Sequence, residues 1–411
     1  MDRSASNLAK SPTANLHLPQ PNPASDSDVT NLKVAWLFPS LALGSYWHPV
    51  FSQFTQRIKQ TRIFTGVWTG FAPGFEDTFT VEIVGETKFI PTEADTGKYV
   101  RNVTIASPRI IQHLLRFKPD VIFASGFSIW TLLALLLKPI ASWRIIIAYD
   151  GCSPAFDFLN DPIRLFFRRR MIQFTDACIT NNDAGQTYLI DVLKARPERV
   201  FAQPYEVPDA EALLGRIKER EPEGFKDAPR PVFLFVGQLI HRKGLHLLIE
   251  ACAVLRAWGC QDYTLVVVGD GCDRDQLEIL SRNRELDNIR WEGWVAYDEL
   301  GSYFCNADVF VLPTLEDTWG MVVLESMVFG KPVLCSNHAG AVEMVADGEN
   351  GYVINPDDPE QLAERMSQFI KDPGLAKKMG ERSRQIIENY KPDSVAGFLV
   401  QVVEFAHSRK G

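Results

Sequence analysis

The stretch VFVLPTLEDTWGMVVLESMV, residues 309–328, decides the fold class. Its first four residues, Val309–Leu312, are an apolar run of strand length, which is typical of a strand buried on both faces of a parallel sheet. A polar loop follows, and Gly320–Val328 then has the longer apolar pattern of a helix. A strand that leads directly into a helix is the unit from which parallel sheets with helical crossovers are built.

The same unit repeats along most of the chain. In the first half we predict strands over Val34–Phe38, Phe64–Trp68, Thr80–Val84, Val121–Ala124, Arg144–Tyr149 and Ala177–Thr180. In the second half we predict strands over Val232–Val236, Thr264–Val268, Ile289–Trp291, Val309–Leu312, Pro332–Cys335 and Gly351–Ile354. The pattern predicts an α/β protein with two Rossmann-like, doubly wound parallel-sheet domains that face each other across a cleft.

A charged, proline-bearing segment separates the two halves. We predict a disordered tail over residues 1–30, an N-terminal domain over 31–205, a linker over 206–230 and a second domain over 231–388. Residues 389–411 are predicted to form a last helix that packs back on the N-terminal domain. Among the helices of the first half, we predict one over Val50–Thr61 and one over Ile129–Leu137 that stops at Lys138-Pro139.

Composition excludes several classes of protein. The 411 residues carry 43 Lys and Arg against 51 Asp and Glu, a formal net charge of −8, which disfavours a general nucleic-acid binder. No apolar run reaches the ~18 residues of a membrane-spanning helix, and the first thirty residues lack the apolar core of a secretory signal. The seven cysteines have no CxxC spacing, so we expect a reduced, cytoplasmic setting without a cysteine metal site.

The loop after Val309–Leu312 carries the strongest chemical signal. Asp317 lies in the loop and Glu325 lies more than one turn into the helix, with seven residues between them. The helix that begins near Gly320 offers free backbone N–H groups to a phosphate, and two separated carboxylates can accept hydrogen bonds from two hydroxyl-rich parts of one ligand. The alternative is structural: Asp317 caps the helix and Glu325 is solvated.

Two other strand-to-helix loops carry residues suited to a ligand. Arg242 and Lys243 precede a glycine and a helix, and such cations hold a polyphosphate. They would otherwise be solvated surface charges. In the first domain, Gly44 lies in the first such loop and would permit close backbone approach, although an ordinary loop glycine explains it equally well.

Together these motifs resemble those of the retaining glycosyltransferase family 4, which has the two-Rossmann GT-B architecture. The resemblance rests on FVGQLIHRKGLHLLIEA (235–251), LVVVGDGCDRDQLE (265–278), the long segment 289–358 and, more weakly, DACITNNDAGQTYLI (176–190). It covers most of residues 176–385.

The resemblance implies a role for each matching residue. It places Lys243 on the donor diphosphate, Glu325 on the ribose and Asp317 on the transferred sugar. Thr318, Trp319, Gly320, Met321 and Val322 are expected to line the sugar and phosphate through backbone N–H groups, and Trp294 and Val295 to hold the base. Gly237 lies in the loop that carries Lys243 and is also expected to contact the donor.

This chain departs from the family pattern at three positions. Gln238 stands where many members have Arg, so Arg242 is the substitute that we expect beside Lys243. Asp replaces Glu at 317, and its neighbour Glu316 leaves open which carboxylate meets the sugar. Asp150 follows the strand Arg144–Tyr149, where a His is common, and is our candidate for an acceptor-side contact.

These roles imply transfer of a hexose from a UDP- or GDP-sugar to a glycan or lipid-linked acceptor, with retention, in polysaccharide or glycoconjugate biosynthesis. We expect no cofactor, no metal and no nucleic-acid partner. Alternatives are another GT-B activity, such as a nucleotide-sugar epimerase or a phosphorylase, and a non-catalytic nucleotide or sugar binder. An NAD dehydrogenase is disfavoured, because Gly269-Asp270-Gly271 lacks the third glycine of the GxGxxG fingerprint.

The basic and aromatic segment RLFFRRRM, Arg164–Met171, lies within a helix predicted over Ile163–Phe174. We expect an amphipathic helix with Phe167 buried and the arginines in solvent, since charge runs are usually solvated faces. The alternative is a peripheral contact with anionic lipid headgroups, at the inner face of a membrane, or with a lipid-linked acceptor.

Overall fold

The computed structural model describes residues 29–42, 44–91, 102–151, 153–215 and 222–409. Their contacts divide the chain into two compact units. The N-terminal unit comprises the described residues up to Asp209 together with those from Tyr390 onward, and the C-terminal unit comprises Ala210–Asn389. Most of the predicted tail lies outside the described residues, and Val29, which the structure does describe, is already buried.

A parallel sheet of seven strands forms the centre of the N-terminal unit, in the order β3-β2-β1-β6-β7-β8-β9. Its strands are β1 Lys33–Phe38, β2 Gln60–Thr65, β3 Val81–Ile83, β6 Val121–Ser125, β7 Arg144–Tyr149, β8 Ala177–Thr180 and β9 Val200–Ala202. A separate antiparallel pair comprises β4 Lys88–Pro91 and β5 Asn102–Ile105. The helices are α1 His48–Arg57, α2 Ile110–Phe117, α3 Ile129–Ala141, α4 Pro154–Asp157, α5 Pro162–Gln173 and α6 Asp183–Thr187.

The C-terminal unit has a parallel sheet of six strands in the order β12-β11-β10-β13-β14-β15. The strands are β10 Val232–Val236, β11 Thr264–Val268, β12 Ile289–Gly293, β13 Val309–Leu312, β14 Val333–Ser336 and β15 Gly351–Ile354. The helices are α7 Ala210–Gly215, α8 Leu245–Ala257, α9 Arg274–Asn283, α10 Leu300–Asn306, α11 Met321–Val328, α12 Pro359–Lys371 and α13 Pro373–Ile387. Helix α14, Pro392–Ser408, belongs to the N-terminal unit, where it packs on α1.

The apolar runs form the cores because each central strand is covered by helices. In the C-terminal unit, Phe233 and Val267 of the sheet pack with Leu248 of α8 and Met366 of α12 in one buried cluster. Side chains of this size, when fully buried, each stabilise the fold by roughly 1.5–3 kcal/mol. The predicted parallel α/β class is therefore confirmed in both units.

Two predicted helices of the first half are wrong in detail, and one strand pair was missed. The helix predicted over Val50–Thr61 ends at Arg57, because Gln60–Thr65 pairs with β1 as a strand. Helix α3 continues through Pro139 to Ala141, because its buried residues hold it on the sheet and the proline lies in its exposed last turn. The β4–β5 pair was not predicted, since neither segment has a strand-like apolar run.

The expectation that Phe167 is buried is also wrong. The Phe167 side chain is 57% exposed, because α5 uses Leu165, Met171 and Ile172 to cover the sheet. Phe167 therefore lies on the opposite side of the helix.

The segment predicted as a linker, 206–230, is not featureless where the structure describes it. Glu206 and Val207 are buried, and the backbone N–H of Glu206 donates to Oδ1 of Asn181. Helix α7 packs on α11, and the buried Phe225 contacts the ring of Tyr303. Within the described part of the chain, every helix is too short or too polar to cross a bilayer.

Candidate donor-binding site

The candidate site lies at the carboxyl edge of the C-terminal sheet. Strands β10 and β13 are hydrogen-bonded neighbours and run parallel. The loop with Arg242 and Lys243 and the loop with Asp317 therefore leave the sheet side by side. In open α/β sheets this edge is where ligands bind.

Glycines bring the loops into direct backbone contact. Gly244 has a positive φ of 70°, and a Cβ there would lie 2.0 Å from the carbonyl oxygen of Pro313. Gly269, at φ 139°, lies equally close to the neighbouring loop, since its Cβ would lie 1.8 Å from the carbonyl oxygen of Gly237. A side chain at either position would push the loops apart, so these glycines fix how closely the site residues approach.

Lys243 and Asp317 form an ion pair at the centre of the site. The Lys243 Nζ lies 2.5 Å from Oδ2 of Asp317, and the two side chains are only 14% and 10% exposed. Two residues that lie in different loops, and that the family resemblance assigns to different parts of a donor, therefore meet directly. The ammonium group is held in place and its charge is balanced by a carboxylate.

Arg242 is anchored to the same second loop by main-chain contacts. Its guanidinium donates to the carbonyl oxygen of Glu316 at 3.2 Å. Its own carbonyl oxygen accepts from the backbone N–H of Leu315 at 2.7 Å and from the hydroxyl of Thr314 at 2.9 Å. The Asp317 carboxylate meets the Lys243 ammonium, and Glu316 contributes its backbone carbonyl to the anchoring of Arg242.

Helix α11 begins at this edge. Its N-cap residue has no side chain that could accept a hydrogen bond from the first backbone N–H groups of the helix. That residue is Gly320, at φ 102°, a backbone geometry that glycine adopts without strain. Met321 and Val322, in the first turn, are partly exposed, whereas the Trp319 side chain is buried. Thr318 is partly exposed beside them. Such a helix start attracts an anion.

Glu325 is buried in α11 and paired with a residue that the sequence did not single out. Its side chain is 6% exposed, and its Oε1 accepts a hydrogen bond from the Tyr297 hydroxyl at 3.0 Å. Burial raises the pKa of Glu325 to about 7, and the Tyr297 hydrogen bond opposes this rise. The contact between Tyr297 and Glu325 joins the segment after β12 to α11, so no local sequence pattern reveals it.

Exposed and partly exposed groups lie in the loops after β12 and β10, and the Tyr297 side chain is itself 49% exposed. The indole of Trp294 follows β12 and is 74% exposed, and Val295 beside it is partly exposed. Gln238 is exposed in the loop after β10, where Gly237 donates its backbone N–H to Val268. The structure thus leaves these residues accessible to a ligand.

The two predicted acceptor-side residues lie in the N-terminal unit. Asp150 directly follows β7 and is accessible to solvent. Its carboxylate accepts a hydrogen bond from the Tyr205 hydroxyl at 2.9 Å, and its carbonyl oxygen accepts from Asn181. Gly44 is buried in the loop after β1, and a Cβ there would lie 2.6 Å from the end of the Leu41 side chain and 3.3 Å from the Leu41 Cβ and carbonyl oxygen.

Comparison with known proteins finds similarity to glycosyltransferases, and the match to a family model lies within the C-terminal unit. Residues 216–386 match the model of the family "Glycosyl transferases group 1". The chain is 28% identical over 233 residues to alpha-D-kanosaminyltransferase of Streptomyces kanamyceticus, a match that covers 56% of this chain and 60% of that protein. It is 27% identical over 302 residues to the lipopolysaccharide core biosynthesis glycosyltransferase LpsE of Rhizobium meliloti, covering 73% of this chain and 80% of LpsE.

The chain therefore spans less than two thirds of the kanosaminyltransferase. Among solved structures, HepE of Anabaena in complex with UDP matches 91% of this chain and 100% of its own, with a TM-score of 0.69 and 16% identity. A likeness at this identity shows the fold alone, which is that of the GT-B glycosyltransferases. HepE has also been solved with UDP-glucose.

Proposed function

We propose that this chain, whose residues 216–386 match the model of the group 1 glycosyltransferases, transfers a hexose from a UDP- or GDP-sugar to a glycan or lipid-linked acceptor. The observation that carries the proposal is the Lys243–Asp317 pair beside the start of α11. One cation, one carboxylate and a set of free backbone N–H groups converge there. A diphosphate bonded to a sugar presents the matching groups.

The diphosphate is the part that Lys243 holds. In the free chain the Lys243 ammonium is balanced by Asp317, and a diphosphate supplies negative charge that can take over this role. As the bond between the sugar and the diphosphate breaks, negative charge grows on the leaving oxygen. Lys243, Arg242 and the N–H groups of Met321 and Val322 then stabilise that charge.

The carboxylates accept hydrogen bonds from the hydroxyl groups of the donor. Asp317 can accept a hydrogen bond from a sugar hydroxyl once Lys243 turns to the diphosphate. Glu325 accepts from the ribose, and Tyr297 holds its carboxyl group in position. Trp294 and Val295, which precede Tyr297 in the chain, contact the base in this proposal. Retention of configuration is supported by the resemblance to glycosyltransferase family 4.

Asp150 serves the acceptor in this proposal. Its partner is a tyrosine hydroxyl, and a sugar hydroxyl can replace or join such a partner with little change in charge. The relative LpsE acts in lipopolysaccharide core biosynthesis, which supports a glycan or lipid-linked acceptor. Polysaccharide or glycoconjugate biosynthesis is therefore the setting that we propose.

The test is a thermal-shift screen of the purified chain against UDP, GDP and ADP and their sugars, followed by analysis of the products. A nucleotide that binds the native state raises its unfolding temperature. We expect one of the UDP or GDP pairs to do so and nucleotide release to accompany transfer. Turnover that requires inorganic phosphate and no nucleotide would instead identify a phosphorylase, and binding without turnover would identify a non-catalytic binder.

A further inference from the structure

One surface of the N-terminal unit is apolar and basic and takes no part in the proposed donor site. Of the eighteen large apolar side chains that are exposed in the described residues, nine lie between Ile129 and Phe174. Six of these nine, on or directly after helices α3 and α5, are here called the apolar patch: Leu136, Ile140, Ile163, Phe166, Phe167 and Phe174.

The apolar patch is drawn from two helices whose ends are linked by a hydrogen bond. On α5, Ile163, Phe166 and Phe167 have the spacing of residues on one helical face. Phe174, about three turns after Ile163, continues that face. Lys138 of α3 donates to the carbonyl oxygen of Phe174 at 2.7 Å, which joins the ends of the two helices. Ile140, two residues after Lys138, is 82% exposed.

Helix α5 is apolar on both of its sides. Leu165 and Ile172 are buried toward the sheet, while the apolar patch faces away from it. An apolar face of a helix is normally covered by another element or by a partner. The outer side therefore fits a partner that offers an apolar medium.

The charge on the two helices identifies that partner. They contain five cations, Lys138, Arg164, Arg168, Arg169 and Arg170, and no Asp or Glu, in a chain with a net charge of −8. Lys138 and Arg164 are paired with aspartates. Arg168, Arg169 and Arg170 donate instead to neutral oxygen atoms, of Phe156 and Tyr188, of Val192 and of Gln173 respectively.

We propose that the apolar patch and Arg168–Arg170 dock the protein on the surface of an anionic phospholipid bilayer, with α5 lying in the interface. Exposed aromatic and aliphatic side chains enter the boundary between headgroups and acyl chains, and arginines attract anionic headgroups. A second copy of the chain fits less well, because a two-fold contact would bring the same three arginines against each other. This proposal rests on the proposed function in one respect only, namely that docking would bring the enzyme to a lipid-linked acceptor.

The experiment is co-sedimentation of the full chain with phosphatidylcholine vesicles that contain or lack phosphatidylglycerol. We expect binding to the anionic vesicles only, and weaker binding at high salt. The double variant Phe167→Ser and Phe174→Ser should bind about tenfold more weakly or worse, and Arg170→Gln about fivefold more weakly. Matched controls are Trp258→Ser with Ile279→Ser, and Arg282→Gln, which change exposed side chains of the other unit.

Each other outcome overturns the proposal. Equal binding to both vesicle types excludes a role for the arginines, and wild-type binding by the double variant excludes the apolar patch. A dimer in light scattering that the double variant dissolves would identify a second copy as the partner. The UDP and GDP thermal shifts of these variants should equal those of the wild type, so failure of nucleotide binding would count against the proposed function and not against docking.

Discussion

Two aspartates, one in each unit, follow strands of a parallel sheet and have opposite kinds of partner. Asp317, in the C-terminal unit, is buried and bonded to the Lys243 ammonium at 2.5 Å. Asp150, in the N-terminal unit, is accessible and bonded to the Tyr205 hydroxyl at 2.9 Å. One carboxylate is held by a cation and the other by a neutral group.

The difference shows how one sheet architecture is adapted to two kinds of ligand. An anionic ligand can replace the carboxylate at a cation, so the Lys243–Asp317 pair fits a diphosphate. A neutral polyhydroxyl ligand can replace a hydroxyl at a carboxylate, so Asp150 fits an acceptor. The fold supplies the position in both cases, and the partner of the carboxylate decides the ligand class.

The largest expected effect comes from removing the cation. Lys243→Ala should lower kcat/KM for transfer by about 10²–10³, as loss of one preorganised charged contact does elsewhere, while the protein stays folded. Steady-state kinetics and the thermal-unfolding curve measure the two properties. The control is Lys377→Ala, which changes an exposed lysine of α13. Normal turnover in Lys243→Ala would contradict the proposal that Lys243 binds the diphosphate.

Next come two loop glycines, Gly244 in the C-terminal unit and Gly44 in the N-terminal unit. Gly244→Ala should destabilise the fold by about 3 kcal/mol, because the residue has a positive φ and its Cβ would meet the backbone of Pro313 at 2.0 Å. Gly44→Ala should cost about 1 kcal/mol or less, since its Cβ would meet the movable end of Leu41. Urea denaturation measures both, and equal losses would mean that the loops of the C-terminal unit do not depend on this contact.

Glu325 adds a third carboxylate, which is held by a tyrosine hydroxyl like Asp150 but is buried. Its pKa is about 7 in the folded chain and near 4.5 when unfolded. Between these values the unfolded chain loses the proton first, so stability falls with rising pH by up to about 3 kcal/mol. The stabilising contribution is complete below pH ~4.5 and is lost as pH rises through ~7.

The corresponding variant is Glu325→Gln, whose amide does not titrate. The free energy of unfolding of this variant, relative to that of the wild type, should increase as pH rises from about 5 to about 8. Glu381→Gln, an exposed residue of α13, should not show this gain. The same slope in the Glu325→Gln variant and the wild type would show that Glu325 ionises normally.

The smallest effect is expected at Asp150. Asp150→Asn keeps the shape but weakens one hydrogen bond to a neutral ligand, so the acceptor KM should rise about tenfold at most. The thermal shift produced by the donor nucleotide should stay unchanged. A weakened nucleotide shift would instead place Asp150 on the donor side.

Much of the fold could be predicted from local pattern. The bounds of β7, β8, β10, β11 and β13 equal the predicted ones, because a strand buried on both faces requires a continuous apolar run whatever surrounds it. The misses lie where packing overrides the local signal. Helix α3 passes Pro139, and Gln60–Thr65 becomes a strand because β1 offers it a partner.

The site divides in the same way. The sequence by itself determined which residue types lie in which strand-to-helix loops, since the motifs around Lys243, Asp317 and Glu325 are local. Only the tertiary structure decided their partners: Asp317 meets Lys243 and Tyr297 meets Glu325. Phe167 was likewise turned outward because three other residues of its helix cover the sheet. The physical reason is that local preferences act between residues a few positions apart, whereas an ion pair, a buried hydrogen bond or an exposed face depends on which distant segments the folded sheet brings together.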